Sequence, residues 1–126
     1  MATTLPVRTI TKLTSAIITT LAPLVAHGQL VRELAPAGGA SQSYGQSVNA
    51  SGVVVGYSRE AFVDVPTVWR PTPGGYVAEL LPLPAGEPTG GANAIGTGGA
   101  IAGYTQPEDG STATAAVWTP SGGGYA

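Results

Sequence analysis

Beyond Gly28 the apolar residues of this chain fall in short runs, each closed by Gly, Pro, Asn or Ser within a few positions. No long window carries an apolar stripe at the 3.6-residue spacing of a helix, and the frequent Gly and Pro leave helices little room. The pattern predicts strands. Four segments in succession fit: Ser41 to Asn49; Val53 to Ser58 after Gly52; Pro66-Thr67-Val68-Trp69; and Tyr76 to Leu81, which runs out in Pro82-Leu83-Pro84-Ala85-Gly86. The second is β-branched and aromatic behind a glycine, which suits a central strand entered from a tight turn.

The same series then begins again. Pro88 to Gly96 answers the first segment, Ala100 to Thr105 the second and Thr114 to Trp118 the third. In detail, Gly52-Val53-Val54-Val55-Gly56-Tyr57-Ser58 matches Gly99-Ala100-Ile101-Ala102-Gly103-Tyr104-Thr105, Val68-Trp69-Arg70-Pro71 matches Val117-Trp118-Thr119-Pro120, and Pro73-Gly74-Gly75-Tyr76 matches Gly122-Gly123-Gly124-Tyr125. The period is 47 to 49 residues, within the range of propeller blades and solenoid units. Upstream, Leu30 to Gly38 parallels Tyr76 to Gly86, as the fourth segment of an earlier unit would. The expected fold is therefore all-β: tandem four-stranded antiparallel units in a propeller-like arrangement, about two units, read as residues 29–75 and 76–126 of a 29–126 repeat domain. A repeat cannot bury its apolar face alone and at least about three neighbours are needed, so the reading is of an incomplete array, open to self-association through its strand edges.

The first 28 residues are of another kind. They hold Arg8 and Lys12 and no acid, then an apolar stretch from Leu13 to Val25, then Ala26-His27-Gly28. That order is the pattern of a secretory signal peptide, here a signal helix over residues 1–28 with cleavage expected after Gly28. The stretch is short and Thr-rich for a membrane span, so the expectation is export to the periplasm or the exterior, with no stable span after cleavage.

Past Gly28, three arginines face seven acids and there is no Lys. An acidic surface without a basic run argues against nucleic-acid partners, whose affinity rests largely on Lys and Arg at phosphates. With no Cys anywhere, stability must come from packing and strand pairing rather than disulfides. Partners are otherwise unspecified, and no cofactor is indicated.

The repeated pieces, Ser47-Val48-Asn49 through Gly56-Tyr57-Ser58 with Val68-Trp69, and Ala92-Asn93-Ala94-Ile95-Gly96 through Gly103-Tyr104-Thr105 with Ala115-Ala116-Val117-Trp118, resemble the HAF repeat family. These are predicted bacterial extracellular proteins whose units read Ala-Ile-Asn, Gly-Val-Val-Gly-Tyr-Ser and Ala-x-x-Trp. The chain departs from the family where His-Ala-Phe is usual before the Trp, having Val65-Pro66-Thr67 and Thr114-Ala115-Ala116, and Gly96 stands where the first copy has Asn49. The resemblance implies secretion and a β-repeat fold, and carries no settled activity with it.

Candidate chemistry is sparse. Tyr57, Trp69, Tyr104 and Trp118 are the candidate ligand-facing aromatics, since aromatic faces give contact area at small entropic cost. Residues recurring at one place in each unit are, however, more often the interlocking core of neighbouring sheets. Gly56 and Gly103 read as points of close backbone approach. Gly96 to Gly103 has the glycines of a phosphate loop but lacks the following helix and the Lys. Pro107-Glu108-Asp109-Gly110-Ser111-Thr112 offers oxygen ligands to Ca²⁺, short of the six to eight oxygens the ion takes, and Asn49-Ala50-Ser51 matches a glycosylation pattern. With no Cys and with the one His, His27, in the leader, a Cys-His or Ser-His-Asp relay is excluded from the exported part. A carboxylate pair for glycoside hydrolysis is chemically conceivable among Glu60, Asp64, Glu79, Glu87, Glu108 and Asp109, but none of these acids recurs between copies. The expectation is thus a non-enzymatic, exported structural or binding module. The alternatives are a fragment of a propeller-type carbohydrate-active enzyme, or a degenerate remnant without function.

Overall fold

Nine strands, all paired antiparallel, account for the chain from Gln42 onward in a computed structural model that describes residues 31–126. The signal helix expected over residues 1–28 lies outside the described residues. Strands β1 (Gln42–Val48), β2 (Val54–Glu60), β3 (Val63–Thr72) and β4 (Gly75–Leu80) form one sheet in chain order. Strands β5 (Thr89–Ile95), β6 (Ile101–Gln106) and β7 (Thr114–Trp118) form a second, and β8 (Pro120–Ser121) with β9 (Gly124–Tyr125) a two-stranded ribbon. No helix occurs among the described residues.

The two sheets are built on one register. Val54 pairs with Trp69 as Ile101 pairs with Trp118, and Pro71 with Tyr76 as Pro120 with Tyr125. Each first strand carries a bulge at the same place, between Gly45 and Ser47 and between Ala92 and Ala94. The ribbon belongs to this scheme too. Thr119 and Ala126 exchange backbone hydrogen bonds at 2.9 and 3.0 Å, so β8 prolongs β7 as the end of β3 prolongs its start, and β9 corresponds to the beginning of β4.

Local chemistry explains the turns. The N–H of Gly52 bonds the carbonyl of Asn49 at 3.0 Å and the N–H of Gly99 that of Gly96 at 3.1 Å. Gly52 and Gly99 both take positive φ, 82° and 91°, where a Cβ would be strained. The Asn49 Oδ1 further accepts from the N–H groups of Ser51 and Val53 at 3.1 and 3.0 Å, holding the turn from within. The β2–β3 hairpin is tighter than its sequence announces: Ala61 and Phe62 occupy its tip at φ 49° and 67°, positions that ordinarily go to Asn and Gly. This lets β3 start at Val63, ahead of the predicted Pro66. Pro66 is accommodated inside a strand because its carbonyl is the group used there, accepting from the N–H of Leu81 at 2.8 Å.

Leu34 to Ala126 is one compact unit, and its core lies between the two sheets. Val55, Val68 and Leu81 from one face of the first sheet meet Ala92, Ile101 and Trp118 from the second. These are opposite faces of equivalent sheets. Val55 is paired with Val68, on the side away from Trp69, whereas the second sheet contributes the Ile101–Trp118 side. The arrangement is a stack in which the second unit sits on the first as a repeat rather than as a mirror image. One expectation is modified: residues 31–36, matched in sequence to β4 and its following turn, take no strand, and among the described residues none pairs with them.

Candidate functional site

The four recurring aromatics divide by role. Trp69 is 1% exposed and Trp118 4% exposed. Each donates its indole N–H to the segment entering its own sheet, Trp69 Nε1 to the Ala35 carbonyl at 2.8 Å and Trp118 Nε1 to the Pro82 carbonyl at 2.7 Å. Ala35 and Pro82 are themselves equivalent positions, so each Trp pins the connection leading into its unit. A buried indole with its N–H satisfied is a packing device, and of the two rings Trp118 also borders an open groove. The structure does not assemble the four aromatics into one platform.

Tyr57 and Tyr104 are half-buried, and only the first unit makes more of its Tyr. Tyr44 stacks on Tyr57 with centroids 4.8 Å apart and planes 18° from parallel. The Arg59 guanidinium lies 5.2 Å from the Tyr44 ring and 5.6 Å from that of Tyr57, and grips Asp64 through both carboxylate oxygens at 2.6 and 3.0 Å. The hydrogen bond to Asp64 raises the Arg59 pKa further above its ordinary value. Tyr104 replaces the stack with contact over Gly91, whose Cβ position would meet its ring at 3.1 Å, and partial burial pushes its phenol above the usual range. Tyr44 and Arg59 have no aromatic or cationic counterpart in the second copy, which carries Gly91 and Gln106 there. Periodicity alone therefore could not have singled out this cluster; the i, i+2 spacing of Tyr57 and Arg59 on one strand face was the available signal.

The acids are used structurally or stand apart. Asp64 pairs with Arg59 and Glu79 with Arg70. Asp109 caps its own turn, accepting from the Ser111 N–H at 2.9 Å, and that bond draws its pKa down. Among the described residues no three His, Cys, Asp or Glu side chains converge on one point. The glycines of the Gly96–Gly103 stretch serve the turn into β6 and the approach of β5 to β6. A Cβ on Gly103 would lie 2.9 Å from the Ala92 Cα, and one on Gly56 2.9 Å from the Tyr44 carbonyl carbon, contacts that no side chain makes.

What distinguishes the second sheet is what it leaves open. Val117 is 68% exposed, whereas Val68, the same repeat position, is fully buried. Beside it, an open groove of about 370 Å³ is lined by Pro82, Leu83, Pro84, Thr105, Ala116, Val117, Trp118 and Ala126. In the first sheet the corresponding space is filled by β4. No helix among the described residues is long and apolar enough to cross a membrane. No family model matches this chain, nor does any curated protein or solved structure.

Proposed function

We propose that the chain is an exported β-repeat module, a propeller-like array of sheets stacked face to face, with a structural or binding role at the cell surface or outside the cell and no catalysis of its own. The observation that carries this reading is the repeated use of Trp69 and Trp118. The same residue at the same position performs the same internal bond twice, so the recurring chemistry of the sequence serves the array and not a reaction centre. The resemblance to HAF repeats and the tripartite pattern of residues 1–28 point to export.

Expression of the full chain in a bacterial host, followed by fractionation and N-terminal sequencing, tests the export arm. The expected product lies in the periplasm or medium and begins at Gln29; a cytosolic product beginning at Met1 refutes it. A panel of polysaccharides tests the role. Saturable binding without product supports a binding module, and turnover abolished by a carboxylate substitution would replace this reading with that of an enzyme.

A further inference from the structure

The repeat does not need the cluster of Tyr44, Tyr57, Arg59 and Asp64. The second sheet forms the same pairing with Gly91 opposite Tyr104, where the first has Tyr44 opposite Tyr57, and with Thr89 opposite Gln106, where the first has Gln42 opposite Arg59. Ala113, ahead of Thr114 as Asp64 is ahead of Val65, stands at the place of the acid. A sheet that forms equally well with glycine, an amide and alanine at these positions does not call for two stacked rings and an ion pair.

The cluster is also accessible. Side chains alternate across a strand, so Tyr57 and Arg59 stand on the same side of β2 as Val55, the side against which the second sheet packs. Burial declines along it: Val55 is fully buried, Tyr57 half-buried, and the side chains of Arg59 and Asp64 are 33% and 21% exposed. Among the described residues β1 pairs with β2 alone, so no strand of its own sheet covers the Tyr44 ring face turned away from Tyr57. Strand β5 is likewise the edge of its sheet, and the opening therefore belongs to the repeating unit. Gln42, opposite Arg59 and exposed, lies one row along from the tyrosines. By the rise of a strand the two rows are about 6–7 Å apart, close to the breadth of one sugar ring. Burial raises the Tyr104 phenol and the Asp64 carboxylate adds to it, which puts a tyrosine of the second sheet within electrostatic reach of the same place.

Chemistry narrows the ligand. The stacked rings present apolar surface. Arg59 and Asp64 cancel each other's charge, so a cation would meet the guanidinium and an anion the carboxylate. Their bond uses Nε and one Nη2 hydrogen, whereas a guanidinium has five N–H groups, so Arg59 has donors beyond those given to Asp64. The Gln42 amide adds two more donors, and its Oε1 accepts from the Tyr44 hydroxyl at 3.1 Å, which fixes the ring beside it. A flat heterocycle is held best between two rings, and here the two rings are stacked on each other. What suits the place is an uncharged molecule with an apolar face and adjacent hydroxyls. We propose that Tyr44, Gln42 and Arg59, backed by Tyr57 and Asp64, form a binding site for a neutral pyranose saccharide. The C–H face of the sugar rests on the Tyr44 ring, and its hydroxyls bond the Gln42 amide and the Arg59 guanidinium. This names the ligand of the binding role proposed above and rests on that role.

The test is NMR titration of the full chain with uncharged oligosaccharides of glucose, N-acetylglucosamine, mannose and xylose, alongside adenosine and oligogalacturonate as the flat and the charged alternatives. At least one neutral saccharide should bind with a millimolar or tighter Kd, shift the ring resonances of Tyr44, and hold its affinity as salt is raised, since screening acts on charge. Tyr44→Gly and Arg59→Gln give the first sheet what the second carries as Gly91 and Gln106, so the sheet should still form. Each should weaken binding by about tenfold, as the loss of an aromatic contact or a charge-assisted hydrogen bond does. Tyr44→Phe keeps the ring and should cost no more than about threefold. If a variant fails to fold, the wild-type shift map decides, because it locates the sugar without any substitution. No saccharide bound in the millimolar range, shifts confined to other residues, binding untouched in the folded variants, or a preference for adenosine or oligogalacturonate would each overturn the site. Saturable binding elsewhere on the chain leaves the binding-module reading standing, and turnover of a saccharide bound at Tyr44 overturns that reading but not this site, so the two fail separately.

Discussion

Val68 and Val117 place one side chain at one repeat position in two environments, which makes the pair a direct probe of where the repeat core lies. Val68 is fully buried between the sheets, in the cluster with Val55 and Ile101, and Val117 is 68% exposed. Truncation to Ala removes about two methylene equivalents, each contributing about 0.8 kcal/mol when buried. At Val68 a cavity term adds to this because neighbours pinned in two sheets relax only partly, for a loss of about 2–3 kcal/mol. At Val117 in the dilute chain the same change should stay within about 0.5 kcal/mol. Urea unfolding followed by the fluorescence of the two buried tryptophans measures both, with the midpoint moving and the slope constant if only stability has changed. In thermal melts the Val68→Ala midpoint should fall by about 8 °C or more, and the Val117→Ala midpoint by less than about 4 °C. Equal losses at the two positions would refute the burial of Val68 by the second sheet laid against its face and by β4 beside it.

Three further outcomes follow from the geometry. Gly56→Ala and Gly103→Ala should each cost about 1–3 kcal/mol or more in chemical denaturation, because the added carbon collides with backbone of the neighbouring strand and overpacking has no flexible side chain to displace; Gly98→Ala, with open space around it, should be close to neutral. Trp69→Phe and Trp118→Phe should each lose about 1–3 kcal/mol by stranding the Ala35 or Pro82 carbonyl, and exchange rates at the adjoining amides should rise around residues 34–37 in the first case and 81–84 in the second. Replacing Ala61-Phe62 with Asn-Gly should stabilise the chain, by about 1–2 kcal/mol in thermal or urea unfolding, since it relieves two non-glycine residues at positive φ of strain worth about 1 kcal/mol or more each. Phe62 is 96% exposed, so little packing is lost in exchange.

Much of the sheet structure is legible along the chain, and the reason is local. Val53–Ser58 behind Gly52 and Ala100–Thr105 behind Gly99 announce central strands through β-branched residues and glycine turns, and the recurrence of Val-Trp tells that the two copies share a register. Other features are not local. Ala61 and Phe62 have no turn chemistry of their own and are forced into their conformation by the pairing of Glu60 with Val63. The Tyr44, Tyr57, Arg59 and Asp64 cluster joins three strands, and only their alignment brings it together.

The sequence by itself determined the strand-forming segments, the duplication and the exclusion of a Cys- or His-based relay from the residues after Gly28, because propensity, period and composition are properties of residues in order. Only the tertiary structure decided which side of each strand is inside. Val55 and Val68 are buried on one face and Ile101 and Trp118 on the other, though the two sheets are copies, because a face becomes core only through what is laid against it, and burial is a property of the neighbour as much as of the residue.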